Sequence, residues 1–454
     1  MAQLPAAFLN SLYNIKGFQH DAFVAVHNAA EQITSIRINP AKKNEIKNPE
    51  SKIPWTSAGY YLPQRPSFTS DPLFHAGAYY VQEASSMFLE EALKQTVDLA
   101  EPLKVLDLCA APGGKSTLIQ SIISAESLLV SNEVIKTRVN VLSENIAKWG
   151  AANVIVTNND PKDFKRLQNY FDVIVADAPC SGSGLFRKDA AAIDEWSLNN
   201  VQLCSQRQQR ILADVMSSLK QNGVLIYSTC SYSTEEDEVI CDWILKEFKV
   251  ESLKLKVEES WGIIETIAEN EGAYGYRFYP DKVKGEGFFI AAFRKTQNED
   301  FLLQEKKQKN GAEKISKADI EIIKPWLKNV EDYFFIRQNE EIIALPIHLQ
   351  IDLAVIQSSL YIKKAGIRMG AIIRDELIPH HELAISTVIT STVASVEVDF
   401  ETALQYLRKQ EIKINCEIKA WAVLKYQQLP LGWVKILPNR INNYYPKEWR
   451  ILNK

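Results

Sequence analysis

The sequence predicts an α/β protein with a mostly parallel sheet covered by helices on both faces. Three observations carry that expectation. From residue 104 to about 294, apolar strand-like runs alternate with amphipathic helical stretches, the pattern of repeated βα units. The first run, Val105-Leu-Asp-Leu-Cys-Ala-Ala-Pro-Gly-Gly-Lys-Ser116, passes through Pro112-Gly113-Gly114 into an apolar helix face (Leu118, Ile119, Ile122, Ile123). Strand, glycine turn and helix open a nucleotide-type binding unit. Third, Glu133, Asp160, Asp177 and Cys230 each end one of the four following strands, where ligands lie in open α/β sheets.

In chain order, Ala22–His27 reads as helix and Ser35–Pro40 as a short strand with Arg37 on its polar face. Met87, Leu89 and Leu93 mark a helix face. The α/β region then has strands at 104–109, 127–132, 153–158, 171–176 and 223–229, with helices at 114–124, 135–148, 205–219 and 234–247. Ser233 and Glu236 have the spacing of a capping box for the last helix. Strands near 274–280 and 287–294 close the sheet as an antiparallel pair. Residues 304–314 have almost no apolar content and read as linker. Short strands follow at 333–337, 342–345 and 361–362. A last unit has a strand at 396–399, a helix at 401–409 and a hairpin of 420–425 with 432–437. The expected organisation is an N-terminal region to 95, the α/β domain 96–296, a linker 297–318 and two smaller units, 319–394 and 395–454.

Composition bounds the function classes. The 454 residues are 46% hydrophobic and 24% charged, ordinary for a globular chain. No apolar run approaches ~18 residues, and the N-terminus lacks a basic, then apolar, leader, so neither membrane span nor signal peptide is expected. The expected location is the cytoplasm, and the expected state a monomer. Six cysteines form no C-x-x-C pair, so a zinc ribbon is not expected and no metal is predicted. A net charge of −4 means that any nucleic-acid surface is local. Residues 429–454 supply one: Lys435, Arg440, Lys447, Arg450 and Lys454 stand against Glu448 alone, interleaved with Trp433, Tyr444, Tyr445 and Trp449. Basic groups on phosphate and aromatics on unpaired bases commonly hold RNA. Trp433, flanked by apolar strand residues, reads instead as core.

The strand-end residues point to a chemistry. A carboxylate after the second strand accepts both hydroxyls of a ribose, which suits Glu133. Asp160 is a candidate for the base and equally for a helix cap. Asp177-Ala-Pro-Cys180-Ser-Gly and Ser228-Thr-Cys230-Ser put two thiols and an acid on loops at strand ends. If those strands are neighbours, about 4.8 Å apart, both thiols reach one substrate atom. A thiol, a carboxylate and a nucleoside cofactor fit methylation of a pyrimidine at C5. Thiolate addition at C6 makes C5 nucleophilic toward a methyl sulfonium. The residues alone do not rank the two cysteines.

Together, Asp107-Leu-Cys-Ala-Ala-Pro-Gly-Gly-Lys115, Asp177-Ala-Pro-Cys180-Ser-Gly and Ser228-Thr-Cys230-Ser resemble the motif set of the Sun-type RNA cytosine-5 methyltransferases, in order and spacing across roughly 80–294. Arg37-Ile-Asn39 and Gln82–Ser86 are similar to that family too. The tail Gly432-Trp-Val-Lys…Asn439-Arg-Ile-Asn-Asn-Tyr-Tyr-Pro446 resembles the PUA-like unit of its bacterial RsmF branch. The resemblance implies a Rossmann-like class I methyltransferase domain with PUA-like RNA-binding units. It implies S-adenosylmethionine as cofactor, held by Cys109, Ala110, Ala111, Pro112, Gly113, Gly114 and Lys115, with Glu133 on the ribose, Asp160 on the adenine side and Asp177 between cofactor and base. It implies Cys230 as nucleophile and Cys180 in product release. Arg37, Arg187, Lys188, Lys435 and Arg440 are the expected RNA contacts. The implied product is 5-methylcytosine in 16S ribosomal RNA of the small subunit. The same chemistry on transfer RNA, on DNA or on a free small molecule, and a non-catalytic RNA-binding assembly factor, are the alternatives.

Overall fold

The computed structural model describes residues 4–29, 31–42, 49–297 and 313–452. Its centre is a ten-stranded sheet. We label seven of its strands: β1 (Lys104–Asp107), β2 (Leu128–Asn132), β3 (Val154–Thr157), β4 (Phe171–Asp177), β5 (Leu219–Thr229), β6 (Tyr274–Phe278) and β7 (Phe288–Lys295). They lie in the order β3-β2-β1-β4-β5-β7-β6. The first five are parallel, and β7 runs antiparallel to both β5 and β6. This is the Rossmann-like arrangement expected, with the antiparallel pair closing one side.

Alternation along the strands explains the layering. Val105, Leu129, Val173 and Val224 face one core, while their neighbours Leu106, Val130, Ile174 and Leu225 face the other. Side chains with a period of two that are apolar on both faces need helices on both. Gly114–Ile122 and Lys136–Trp149 pack on the first face, and Leu198–Val215 and Glu238–Glu247 on the second.

Three smaller sheets surround this centre. Thr34–Ile38 pairs with Gly59–Leu62 and Tyr79–Val81 in the N-terminal sheet. Five strands between Glu313 and Pro379 form the second, and Ser395–Glu397, Trp421–Tyr426, Leu429–Leu437 and Arg440–Asn443 the third. Trp433 is fully buried and donates its indole N–H to the His380 carbonyl at 2.9 Å, joining the last two units. The N- and C-terminal regions share a core in which Ile36, Ala76 and Tyr79 meet Tyr406, Leu424, Val434 and Tyr445.

Three sequence expectations change here. The strand foreseen at 361–362 is Ile362–Ala365, and it pairs with β3 at the edge of the central sheet. Of the expected linker, residues 298–312 lie outside the described residues, while Glu313–Lys314 already pairs with Tyr333–Gln338. Arg37 is the larger correction. It was expected to meet RNA, but it is 1% exposed. Its guanidinium lies 4.6 Å over the Trp149 ring and donates to Gln82 Oε1, Thr117 Oγ1, Ser121 Oγ and the carbonyls of Gly114 and Thr117. Strand alternation gave its face correctly, but the helix after the glycine turn covers that face.

Candidate active site

The glycine turn begins at the end of β1. Gly113 has φ +119°, a left-handed conformation open to glycine at little cost, and the helix Gly114–Ile122 starts directly after it. Asp107 lies beneath the turn and accepts the Ser116 hydroxyl at 2.6 Å. Burial pushes its carboxyl up to about 7. Arg138 and Asn145, from the next helix, donate to the carbonyls of Ala111 (2.7 Å) and Pro112 (2.8 Å) and fix the loop from outside.

A cavity of about 410 Å³ opens on this loop. Cys109, Ala110, Ala111, Pro112, Gly114 and Lys115 line it, together with Tyr80, Gln82, Asp177, Cys230 and Phe288. β4 and β5 are parallel neighbours with Asp177 opposite Ser228, so their end loops emerge side by side. The sulfurs of Cys180 and Cys230 are 2.9 Å apart. Contact with the Cys230 sulfur and burial hold the Cys180 thiol well above its ordinary pKa. Gly184 makes this approach possible. Its N–H donates to the Cys230 carbonyl at 2.8 Å, and a Cβ there would lie 2.5 Å from the Gly287 carbonyl oxygen.

Asp177 pairs with Lys115 at 2.8 Å and accepts the Ser228 hydroxyl at 2.8 Å. Burial works against the charge on Lys115, but the adjacent Asp177 carboxylate outweighs it and raises the pKa of the ammonium. A fixed cation thus stands among the acid, the thiols and the Phe288 ring, which is 5.2 Å away.

The other expected cofactor contacts, Glu133 and Asp160, are not among the residues that line this cavity. Glu133 is buried at the end of β2, accepts the Ile135 N–H at 2.8 Å and faces Arg138 at 3.3 Å. Asp160 accepts the Lys162 N–H at 3.1 Å and caps a short turn. That is the capping role weighed from the sequence, and it leaves lone pairs on the carboxylate. A concave loop, a strand-end acid and a fixed cation suit a nucleoside-type ligand bearing a carboxylate.

Of the expected RNA contacts, Lys188 and Arg440 are exposed, and Lys435 is half-buried with its ammonium 5.2 Å over the Trp421 ring. The Arg187 side chain is not a free phosphate ligand. It is 5% exposed, faces Glu286 at 3.5 Å and donates to the carbonyls of Glu31 and Gly285. Burial pushes the Glu286 carboxyl up to about 7.

Sequence reasoning missed the frame behind the site. Glu83 accepts from the N–H groups of Ser85, Ser86 and Glu286, tying the N-terminal region to β7. The capping box expected from Ser233 and Glu236 does not form. Ser233 makes no cap bond, and the Glu236 carboxylate turns to Ser181 and Ser231. Among the described residues, no cluster of three or more His, Cys, Asp or Glu could hold a metal ion, and no helix is long and apolar enough to cross a membrane.

Comparison with known proteins agrees with this layout. The family model for 16S rRNA methyltransferase RsmB/F matches residues 94–294, that for the N-terminal domain of 16S rRNA methyltransferase RsmF matches 4–84, and that for the methyltransferase RsmF PUA domain matches 393–451. Ribosomal RNA small subunit methyltransferase F of Shewanella piezotolerans is 30% identical over 91% of this chain and 90% of its own. The protein of the same name from Escherichia coli O9:H4 is 29% identical over 87% and 84%. Among solved structures, a methyltransferase homolog from Pyrococcus horikoshii, 28% identical, superposes with a TM-score of 0.51 over 64% of this chain and all of that one. NSun6 from Pyrococcus horikoshii, solved with SFG, shares the fold with a TM-score of 0.54 at 19% identity, over 65% of this chain and 99% of that one. The chain belongs to the ribosomal RNA small subunit methyltransferase F family.

Proposed function

We propose that this protein is an S-adenosylmethionine-dependent RNA cytosine-5 methyltransferase that forms 5-methylcytosine in 16S ribosomal RNA through a covalent cysteine–C6 adduct. One observation carries the reading: two thiols 2.9 Å apart, one of them, Cys230, lining the cavity on the glycine turn together with the Asp177–Lys115 pair. In this reading Cys109 to Lys115, Glu133 and Asp160 hold the cofactor. Bound there, S-adenosylmethionine supplies an electrophilic methyl group.

The protein's own groups do the rest. C5 of cytosine is a poor nucleophile. The Lys115 ammonium, paired with Asp177, lies in the same cavity lining as Cys230. The Cys230 thiolate adds to C6, the new S–C6 bond pushes electrons toward C5, and C5 takes the methyl. Asp177, held by Lys115 and Ser228, accepts a hydrogen bond from the N4 amino group and orients the base, and the Lys115 ammonium beside it opposes the negative charge that develops toward N3. Release requires the C5 proton to leave and the S–C6 bond to break. A base must take that proton as the Cys230 sulfur leaves as thiolate; we assign Cys180 to this step on the family resemblance, and its sulfur lies within reach, 2.9 Å from that of Cys230.

The test is transfer of labelled methyl from S-adenosylmethionine to 16S rRNA, to small subunits and to transfer RNA, with nucleoside analysis of the product. Label in 5-methylcytosine of the small-subunit RNA is expected. Label confined to transfer RNA overturns the substrate, and label at any other base atom overturns the chemistry.

Lys435 and Arg440 are the proposed phosphate contacts of the C-terminal unit. Replacing either by alanine is expected to weaken RNA binding about three- to tenfold at low salt and to lower the salt slope of log K by about 0.7–0.9. Titrations at several salt concentrations read both quantities. An unchanged slope in both variants would remove this face from the RNA surface.

A further inference from the structure

The two cysteine loops share one buried anchor. Glu236 is 0% exposed and accepts four hydrogen bonds. Its Oε1 takes the Ser181 N–H at 2.8 Å and Gln208 Nε2 at 3.1 Å. Its Oε2 takes the hydroxyls of Ser181 at 2.5 Å and Ser231 at 2.7 Å. Gln208 Nε2 also donates to the Pro179 carbonyl at 3.2 Å. Both chain neighbours of Cys180 therefore end on the Glu236–Gln208 pair, and the residue after Cys230 ends on the same carboxylate. A helix cap uses one side-chain oxygen on one N–H; four donors drawn from three segments make a clamp. Burial raises the pKa of the Glu236 carboxyl against these bonds.

Cys230 has a further anchor through its own preceding residue. The preceding residue, Thr229, donates its hydroxyl to Asp237 at 2.6 Å, and Arg277 meets Asp237 at 3.2 Å and donates to the Tyr232 carbonyl at 2.9 Å. We propose that Glu236 is a positioning residue that holds the Cys180 thiol against Cys230, and that it thereby governs release of methylated RNA more than attack on the base. This rests on the reading of Cys230 as nucleophile and Cys180 as release thiol. Attack needs Cys230 alone, whose loop the Thr229–Asp237–Arg277 chain still holds. Release needs both sulfurs in register.

Glu236→Gln keeps the shape but turns an acceptor into an amide donor facing donors on Ser181 and Ser231. The experiment is a single turnover with wild-type and variant protein, S-adenosylmethionine and a small-subunit rRNA fragment, following the covalent protein–RNA adduct on denaturing gels. Adduct formation is expected within about threefold of wild type, while adduct decay slows about tenfold or more. In a Cys180→Ala background the same substitution is expected to slow decay no further, because the thiol it positions is already gone. Ser181→Ala removes one bond of the clamp, is expected to slow decay in the same direction by a smaller factor, and serves if the glutamine variant does not fold. Equal slowing of formation and decay, or effects of Glu236→Gln and Cys180→Ala that multiply, overturns the proposal. A wild-type protein that methylates no cytosine and forms no adduct overturns the reading of the site instead.

Discussion

Replacing Cys230 by alanine is expected to abolish methyl transfer, lowering kcat about 10⁴-fold or more, equivalent to about 5.5 kcal/mol. The size follows from the chemistry. Without a sulfur at C6, C5 remains part of an electron-poor ring, and neither the Asp177–Lys115 pair nor cofactor binding supplies the missing electrons. RNA and cofactor affinity are expected to change less than about threefold, because the substitution removes a small side chain that contributes to the reaction and little to binding. Filter binding and labelled-methyl transfer on the same preparations separate the two effects. Cys180→Ala is expected to give the opposite phenotype: attack and methylation proceed, and a protein–RNA adduct that survives denaturant accumulates. Full activity in the Cys230 variant with none in the Cys180 variant would exchange the two roles. The sequence alone left that ranking open, and the mutual contact of the sulfurs does not rank them either.

The sheet and the strand-end groups were legible in the sequence because their signals are local. Valine- and isoleucine-rich runs such as 171–176 can only be strands covered on both faces, and a residue following such a run must lie on the ligand side of the sheet. What was not legible depends on contacts between distant segments. Ser233 and Glu236 match a capping box, a rule of four consecutive residues. The donors that win the carboxylate are on Ser181, more than fifty residues earlier, and on Ser231. Ile362–Ala365 shows strand character, but only the fold brings it to the free edge of β3. Asp160 kept the capping role that its position before Pro161 and Lys162 allows. Trp433 was legible as core because both of its strand neighbours are apolar.

Arg37→Ala is expected to cost about 3–5 kcal/mol of stability and to lower the first cooperative unfolding step by about 5–10 °C, with RNA affinity of the folded protein unchanged. The guanidinium is buried, and burial pulls its pKa down to about 9. It remains charged at neutral pH because its fork is filled by five acceptors on two segments, Gln82 and the helix Gly114–Ile122. Alanine removes these five hydrogen bonds and opens a cavity beside Trp149. Lysine restores the charge but not the fork, so Arg37→Lys is expected to recover less than half of the loss. Because Arg37 holds the Gly114 carbonyl and Thr117 at the start of the helix after the glycine turn, cofactor affinity is expected to fall several-fold while RNA affinity does not. Thermal unfolding, cofactor binding and RNA binding, measured below the transition, decide the matter. A variant of unchanged stability that binds RNA poorly would return Arg37 to the RNA surface. A destabilised variant that still binds RNA makes it the bolt between the N-terminal sheet and the helix after the glycine turn, so that the two move as one body.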